Sequence, residues 1–292
     1  MNIASPSTPA WSEHTSLAAG VPMHHIEAGT GELLVLIHGS LCDYRYWRWQ
    51  MQAFAERFRV VAPSLPGCWP TALDAAAVGK ESGATLSNAA YSTNQTPFSV
   101  EQHVQSLLAL CDLLSPDRPV HLLGHSRGAQ IALEAALKRP ERVARLVLAD
   151  PGFPFSDEHQ TPGVHAAIAR RLGDAPLDEV LGEFVDTVNG PGTWRQTVTW
   201  FKEMVRANAW TLLPQLADFD RSIDRGTLAQ ALQCPVLLIG GEFSPPRYGE
   251  RIAALMQALP QARQVVIPKA AHGMNLANAR RFNAEVIEFL QT

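Results

Sequence analysis

Short apolar runs alternate with longer amphipathic stretches along most of this chain. The apolar runs are rich in leucine and β-branched residues, as in Leu33–Ile37, and have the length of buried strands. Between them, segments such as Val100–Leu114 repeat apolar residues at helical spacing, and Ser99 precedes this one as a suitable N-cap. Strands that alternate with helices are typical of a mostly parallel sheet covered by helices. The pattern therefore predicts an α/β fold.

The predicted strands are spread over nearly the whole chain. A first, antiparallel strand is expected near residues 23–27. The parallel strands are expected at residues 33–37, 59–62, 120–123, 145–149, 235–239 and 264–267.

Two intervals interrupt the alternation. Residues 63–97 are rich in Gly, Ser, Thr and Ala and too long for an ordinary connection, which predicts a mobile surface loop. Residues 151–226 have helical periodicity and aromatic residues along one face, which predicts an inserted helical lid. We call this segment the cap. The core domain is then expected to comprise residues 1–150 and 227–292.

Composition and charge exclude several classes of protein. Hydrophobic residues make up 46% and charged residues 18%, so the chain has enough apolar material for a core. The formal net charge of −4, without a block of like charges, argues against nucleic acid as a partner. No apolar run approaches the roughly 18 residues of a membrane helix, and no basic and apolar leader begins the chain. A cytoplasmic location without membrane attachment is expected.

The four cysteines offer no sign of a metal site. Cys42, Cys68, Cys111 and Cys234 are far apart and form neither a C-x-x-C pair nor a Cys/His pattern typical of zinc. We expect free thiols, no metal and no cofactor.

One segment carries a catalytic motif in its expected context. The apolar run at 120–123 leads into Gly124-His125-Ser126-Arg127-Gly128 and directly into a helical stretch. G-x-S-x-G between a strand and a helix is the pattern of a nucleophile elbow, in which a sharp turn exposes the serine. Glycine is needed on both sides because a Cβ would collide with the neighbouring strand and helix. Ser126 is therefore the predicted nucleophile.

Two further motifs complete an ordered set. His38-Gly39-Ser40-Leu41 follows the strand at 33–37, and His272-Gly273 follows the last strand. A His-Gly turn after the third strand, G-x-S-x-G after the fifth and His-Gly after the last resemble the α/β-hydrolase family over almost the whole chain. The resemblance implies an α/β-hydrolase fold, a mostly parallel central sheet flanked by helices, with the helical cap inserted after strand six.

The resemblance also implies the roles of several groups. His272 would be the general base that takes the proton of Ser126 and delivers it to the leaving group. The oxyanion hole would use the backbone N–H of Arg127 and that of Ser40, or of Leu41 if the turn is shifted by one residue. His38 is expected to hydrogen-bond the loop rather than to act in catalysis.

The acid of the triad is where this sequence departs from the family pattern. Most members carry an aspartate shortly after the seventh strand, where this chain has Phe243 and Ser244. Two carboxylates could replace it: Asp150, directly after the sixth strand, or Glu242 in the same turn. Placement after strand six resembles the haloalkane dehalogenases and the zearalenone lactonases. We expect Asp150 to complete the triad, with Glu242 as the alternative.

The nucleophile indicates the type of reaction. Dehalogenases and epoxide hydrolases of this fold use an aspartate at the elbow, so Ser126 favours hydrolysis of a carboxylic ester or lactone through an acyl-enzyme. The same triad could instead cleave a carbon–carbon bond, as in meta-cleavage-product hydrolases. The absence of the usual aspartate after the seventh strand would also be compatible with a non-catalytic binding protein. The substrate is expected to be small and largely apolar, and no pattern selects an oligomeric state. The predicted substrate-binding residues are Phe153, Trp194, Trp200 and Trp210.

Overall fold

The computed structural model describes residues 11–71, 98–158, 164–218 and 221–292. Eight strands in these ranges form a single sheet in the order β1-β2-β4-β3-β5-β6-β7-β8. The strands are β1 (Ser12–Ala18), β2 (Val21–Ala28), β3 (Leu33–Ile37), β4 (Arg59–Pro63), β5 (Val120–His125), β6 (Val143–Ala149), β7 (Val236–Gly241) and β8 (Arg263–Ile267). β1 pairs antiparallel with β2, β2 pairs antiparallel with β4, and all other pairs are parallel.

Helices cover both faces of this sheet. The core helices are α1 (Arg48–Ala55), α2 (Val100–Leu114), α3 (Arg127–Lys138), α8 (Leu228–Ala231), α9 (Pro246–Ala258), α10 (Met274–Ala277) and α11 (Ala279–Gln291). Successive residues of β3 contribute to two different hydrophobic clusters, because side chains alternate between the faces of a strand. One cluster includes residues of α2, α3 and α9, and the other includes residues of α1 and α11.

The segment between β6 and β7 contains the cap helices. These are α4 (Val164–Arg170), α5 (Leu177–Asn189), α6 (Thr193–Gln196) and α7 (Thr199–Ala207), followed by short 3-10 turns. They enclose a third hydrophobic cluster, to which Leu41 of the loop after β3 also contributes. Near the two ends of the segment, Phe155 and Ile223 form a β-bridge, so the chain leaves the core and returns to it side by side. The helical insertion after strand six is thus as the sequence predicted.

Most predicted elements match the structure to within two residues, and the exception has a physical reason. Helix α2 has the predicted bounds, and the Ser99 hydroxyl accepts a hydrogen bond from the Gln102 N–H, as expected of its N-cap. Strand β1 was not predicted. It lies at the edge of the sheet and most of its residues are exposed, so it lacks the apolar alternation that reveals a half-buried strand.

The loop predicted over residues 63–97 is only partly described. Residues 64–71 are described, whereas residues 72–97 lie outside the described ranges. Within those ranges, no helix combines the length and apolar character required to cross a bilayer. They also contain no group of three or more His, Cys, Asp or Glu side chains arranged to hold a metal ion.

Candidate active site

Ser126 occupies a strained turn between β5 and α3. Its φ of 56° and ψ of −118° lie in a region that non-glycine residues rarely adopt. The turn requires the flanking glycines: a Cβ on Gly124 would lie 2.2 Å from the Gly128 carbonyl oxygen, and one on Gly128 would lie 2.2 Å from that of Ile37. The Ser126 N–H donates to the Ala149 carbonyl over 2.9 Å. These contacts hold the hydroxyl at the carboxyl edge of the sheet.

His272 and Asp150 meet at the same edge. His272 lies in the loop after β8, and Asp150 directly follows β6 with a φ of 40°. His272 Nδ1 lies 3.0 Å from Asp150 Oδ2. Because a carboxylate can only accept, the hydrogen of this bond belongs to Nδ1. Nε2 of His272 is then left with the lone pair that a general base needs.

Burial shifts the pKa of both partners. Burial raises the pKa of Asp150 to about 6, against the hydrogen bond from Ser244, which lowers it. Burial lowers the pKa of His272 to about 3, and the positive charge of Arg247 adds to the effect. At neutral pH, Asp150 is therefore mainly a carboxylate and His272 is neutral, the states in which a serine-activating pair begins.

Glu242 points elsewhere. It is exposed, and its Oε2 accepts a hydrogen bond from the Lys269 N–H over 2.7 Å. Of the two carboxylates that the sequence left open, the structure brings Asp150 and not Glu242 into contact with His272.

Two further residues fix the position of the His272 ring. The ring of Tyr248 stacks on it, with centroids 4.2 Å apart and an angle of 17° between the planes. His125, beside the nucleophile, lies 2.7 Å through its Nε2 from the carbonyl oxygen of His272. Burial lowers the pKa of His125 to about 3, so it is neutral and donates one hydrogen from Nε2. His125 thus holds the backbone of His272, and Tyr248 holds its ring.

The loop after β3 approaches Ser126 closely. A Cβ on Gly39 would lie 3.1 Å from the Ser126 Cβ, closer than an ordinary van der Waals contact. His38 shapes the loop by hydrogen-bonding the Gly39 carbonyl over 2.8 Å and the Leu65 N–H over 3.0 Å. Ser40 and Leu41 line the same cavity as Ser126, and Leu41 has a φ of 61°. Ser40, Leu41 and Arg127 therefore line the same cavity as the nucleophile.

A cavity of about 290 Å³ lies between the sheet edge and the cap, and Ser126 and His272 both line it. Phe153 lines it too, as predicted from the sequence. Its apolar wall is formed by Leu41, Cys42, Phe153, Pro154, Phe184, Val185, Val188, Phe201 and Val205.

The three predicted tryptophans do not line this cavity. Trp194 packs so closely on Gly182 that a Cβ there would lie 2.8 Å from the indole. Trp200 contacts Phe201, and Trp210 packs against the hydrophobic cluster of the cap. The cavity therefore gives no support to the expectation that these tryptophans bind substrate: Trp194 and Trp210 pack within the cap, and Trp200 packs against the core cluster of α1 and α11. Helical periodicity cannot distinguish such packing from the lining of a cavity.

Comparison with known proteins places this chain in a family. Residues 34–285, which make up most of the chain, match the model of the alpha/beta hydrolase family. The chain belongs to the alpha/beta hydrolase family.

Curated relatives of this hydrolase extend over nearly its full length. A pimeloyl-[acyl-carrier protein] methyl ester esterase of Edwardsiella ictaluri is 27% identical, over 91% of this chain and 95% of its own. A 2-hydroxy-6-oxononadienedioate/2-hydroxy-6-oxononatrienedioate hydrolase of Burkholderia vietnamiensis is 27% identical, over 92% and 91%. The solved enol-lactonase of Burkholderia xenovorans LB400 has a TM-score of 0.73 at 19% identity, over 96% of this chain and 100% of its own. Esterases and hydrolases thus share its overall fold.

The structure also reveals site residues that the sequence did not single out. Asp218 and Gln215 of the cap are two of them: Asp218 pairs with Arg127 over 2.7 Å, and Gln215 accepts a hydrogen bond from the Ser40 hydroxyl over 2.6 Å. Arg247 and Tyr248, at the start of α9, line the cavity. The position of α9 after β7 was foreseeable, but the sequence contains no signal for which of its side chains face the site.

Proposed function

We propose that this member of the alpha/beta hydrolase family is a serine hydrolase that cleaves a carboxylic ester or lactone through an acyl-enzyme on Ser126. The observation that carries the proposal is the hydrogen bond of His272 Nδ1 to Asp150 Oδ2, at 3.0 Å, in a site whose cavity Ser126 also lines. This hydrogen bond supports His272 as the base, because its other nitrogen, Nε2, is left to take the proton of Ser126.

The proposed reaction proceeds in two steps. His272 removes the proton of Ser126 as its oxygen attacks the carbonyl carbon, and the resulting oxyanion accepts hydrogen bonds from the backbone N–H of Arg127 and of Ser40 or Leu41. His272 then protonates the leaving alcohol. A water molecule, deprotonated by His272, attacks the acyl-enzyme and releases the acid and the serine. Asp150 stabilises the imidazolium that forms in both steps.

The cavity supports a small substrate. Its volume of about 290 Å³ suits a compact molecule, and its apolar wall suits the hydrocarbon part of an acyl or alkyl group. The relative from Edwardsiella ictaluri is named as an esterase of a methyl ester, which favours ester chemistry for this chain.

Carbon–carbon bond hydrolysis is the second candidate. It is favoured by the Burkholderia vietnamiensis relative, named as a hydrolase of 2-hydroxy-6-oxononadienedioate, at the same 27% identity. Turnover of such a dienedioate without activity on simple esters would select it. A non-catalytic binding protein was considered because the usual aspartate after the seventh strand is missing. The contact of Asp150 with His272 removes that reason.

Rates on a series of p-nitrophenyl esters, from acetate to octanoate, test the proposal. We expect the wild type to hydrolyse short members and Ser126→Ala to lose at least about a thousandfold in kcat/KM. Ser115→Ala makes the same substitution at a serine that does not line the cavity and whose hydroxyl donates to the Arg118 carbonyl, and it should retain the wild-type rate. Equal rates in the wild type and Ser126→Ala would refute the serine mechanism.

A further inference from the structure

The charged side chains that line the cavity do not balance. Arg127 is paired with Asp218, and both side chains are at most 10% exposed. Arg247 also lines the cavity, but it forms no ion pair with any carboxylate among the described residues. Asp150 does not line the cavity, and its Oδ2 is occupied by His272 and Ser244. The side chains that line the cavity therefore have a net charge of +1 when the histidines are neutral, and the nearest opposing charge of Arg247 is that of Asp150, which lies behind the wall and is held by His272 and Ser244.

Some N–H groups of the Arg247 guanidinium have no hydrogen-bond partner among the described residues. Its Nη2 donates to the Thr187 carbonyl over 3.1 Å and to the Tyr248 hydroxyl over 3.2 Å. Its Nε and Nη1 make no hydrogen bond with any residue in the described ranges. Three of the five N–H groups are thus available, and a guanidinium binds a carboxylate best with two of them at once.

A second polar group near Arg247 has no partner. His165 lines the cavity and packs on Phe184, with ring centroids 5.1 Å apart. Its Nε2 is buried and forms no hydrogen bond within the described part of the chain. Burial, followed by the positive charge of Arg247, lowers the pKa of His165 to about 4, so this imidazole is neutral and adds no charge at pH 7. A buried, unpaired nitrogen is costly unless a ligand satisfies it.

Arg247 lies close to the reaction centre. Arg247 contacts the Tyr248 hydroxyl, and the Tyr248 ring covers the His272 ring at 4.2 Å. A Cβ built on Gly152 would lie 3.5 Å from Tyr248 Cε1 and 4.0 Å from Ser126 Oγ, so the tyrosine ring and the nucleophile are near neighbours. A negative group bound to Arg247 would be only a few bonds from the scissile carbonyl.

We propose that the natural substrate is an ester or lactone bearing a carboxylate, which Arg247 binds together with His165 while the apolar wall contacts the hydrocarbon chain. The proposal rests on the proposed function, since it names the substrate class of the same site. A single planar carboxylate matches one guanidinium fork plus one imidazole donor.

Binding is measured first, because it does not depend on the chemical step. The probes are monoethyl succinate, with its carboxylate on the acyl side, and acetoxyacetate, with its carboxylate on the alcohol side. Calorimetry with Ser126→Ala should detect at least one of them. Adding Arg247→Met should weaken that binding about tenfold to a hundredfold, whereas Arg247→Lys should weaken it less because the charge remains. His165→Phe should weaken it by a smaller factor.

Turnover is measured next against neutral isosteres, by titrating the acid released. Ethyl 4-methylpentanoate matches monoethyl succinate in shape, and isobutyl acetate matches acetoxyacetate. We expect the wild type to have a higher kcat/KM for the anionic ester than for its neutral isostere in at least one pair. Arg247→Met should lower this ratio of the two kcat/KM values at least tenfold. Arg263→Met removes a charge from an exposed arginine paired with Glu288, and it should leave the ratio unchanged.

The outcomes separate the two proposals. The carboxylate site would be overturned if neither acid bound. It would also be overturned if Arg247→Met lowered kcat/KM equally for the anionic and the neutral ester of a pair and lowered the Tm, which would make Arg247 a structural contact to Thr187. Binding that depends on Arg247 but no hydrolysis of any ester would support the carboxylate site and refute the proposed function instead.

Discussion

Ser244 donates its hydroxyl hydrogen to Asp150 Oδ2 over 2.5 Å. Ser244 belongs to the turn after β7, where the family pattern places the acid, and Asp150 follows β6. β6 and β7 are adjacent parallel strands, so their carboxyl ends lie at the same edge of the sheet. A carboxylate can therefore reach His272 from either strand, and here the serine in the usual acid turn supports the acid on the neighbouring strand.

Asp150→Asn should lower kcat/KM on a short ester by about a thousandfold to ten-thousandfold. The amide cannot accept the Nδ1 hydrogen as a carboxylate does, nor can it stabilise the imidazolium. Glu242→Gln is the matched control, because it removes a carboxylate from the same region without touching His272, and it should stay within about threefold of the wild type. A large loss in Glu242→Gln and none in Asp150→Asn would reverse the assignment.

The acid limb of the pH profile should be set by Asp150 and be centred near pH 6. Activity requires His272 neutral and Asp150 ionised, and burial lowers the pKa of His272 to about 3 while it raises that of Asp150 to about 6. Protonation of either group inactivates the pair, so the higher pKa sets the midpoint: kcat/KM should be halved at about pH 6 and fall about tenfold per pH unit below it. A limb centred at pH 7 or above would contradict this.

Removing the Ser244 hydroxyl should move that limb. Its hydrogen bond lowers the pKa of Asp150, so Ser244→Ala should raise this pKa and shift the acid limb of kcat/KM to higher pH. Profiles of the wild type and the variant on the same neutral ester make the comparison. A variant that lost activity equally at every pH would show that Ser244 affects only the position of Asp150.

Gly124→Ala should destabilise the fold, since its Cβ would lie 2.2 Å from the Gly128 carbonyl oxygen. We expect a loss of at least about 2 kcal/mol in the free energy of unfolding, measured with urea. Gly249→Ala is the control, because Gly249 lies within α9 and its Cβ would meet nothing within 4 Å. Alanine there should stabilise by roughly 0.5–1 kcal/mol. Equal stability of both variants would show that the elbow tolerates a side chain.

The folded protein should lose stability as pH falls below about 6.5. Burial lowers the pKa of several histidines, so the unfolded chain binds more protons than the folded one below their ordinary pKa. These are His25, His38, His103, His121, His125, His165 and His272. The raised pKa of Asp150 acts in the opposite direction, but it is a single group.

His103→Gln isolates one of these contributions. His103 hydrogen-bonds the Pro66 carbonyl over 3.0 Å, a bond that a glutamine amide can also donate. Its pKa lies well below the ordinary value because of burial. The slope of unfolding free energy against pH, measured between pH 6.5 and 5, should therefore decrease by up to about 1.4 kcal/mol per pH unit. An unchanged slope would show that His103 is protonated equally in the folded and unfolded states.

The sequence predicted the elements and motifs better than the lining of the cavity. Ser126 and His272 stood in patterns that combine strand, turn and helix, so their positions followed from local rules. Asp150 was preferred as the acid but Glu242 stayed open as the alternative, because the choice depends on how two strand ends lie relative to His272. Arg247 was not singled out at all. An arginine near a helix start faces solvent or a cavity according to tertiary packing, which local sequence does not encode.

Trapping the acyl-enzyme tests the central claim most directly. The wild type is mixed with p-nitrophenyl butanoate, quenched in acid and digested, and the modified peptide is identified by mass spectrometry. We predict one butanoyl group on Ser126, and none in Ser126→Ala. Cys42 is the internal control: it lines the same cavity, but burial raises its pKa well above the ordinary value and keeps it a thiol. Turnover without an adduct on Ser126, or with the adduct on Cys42, would contradict the mechanism.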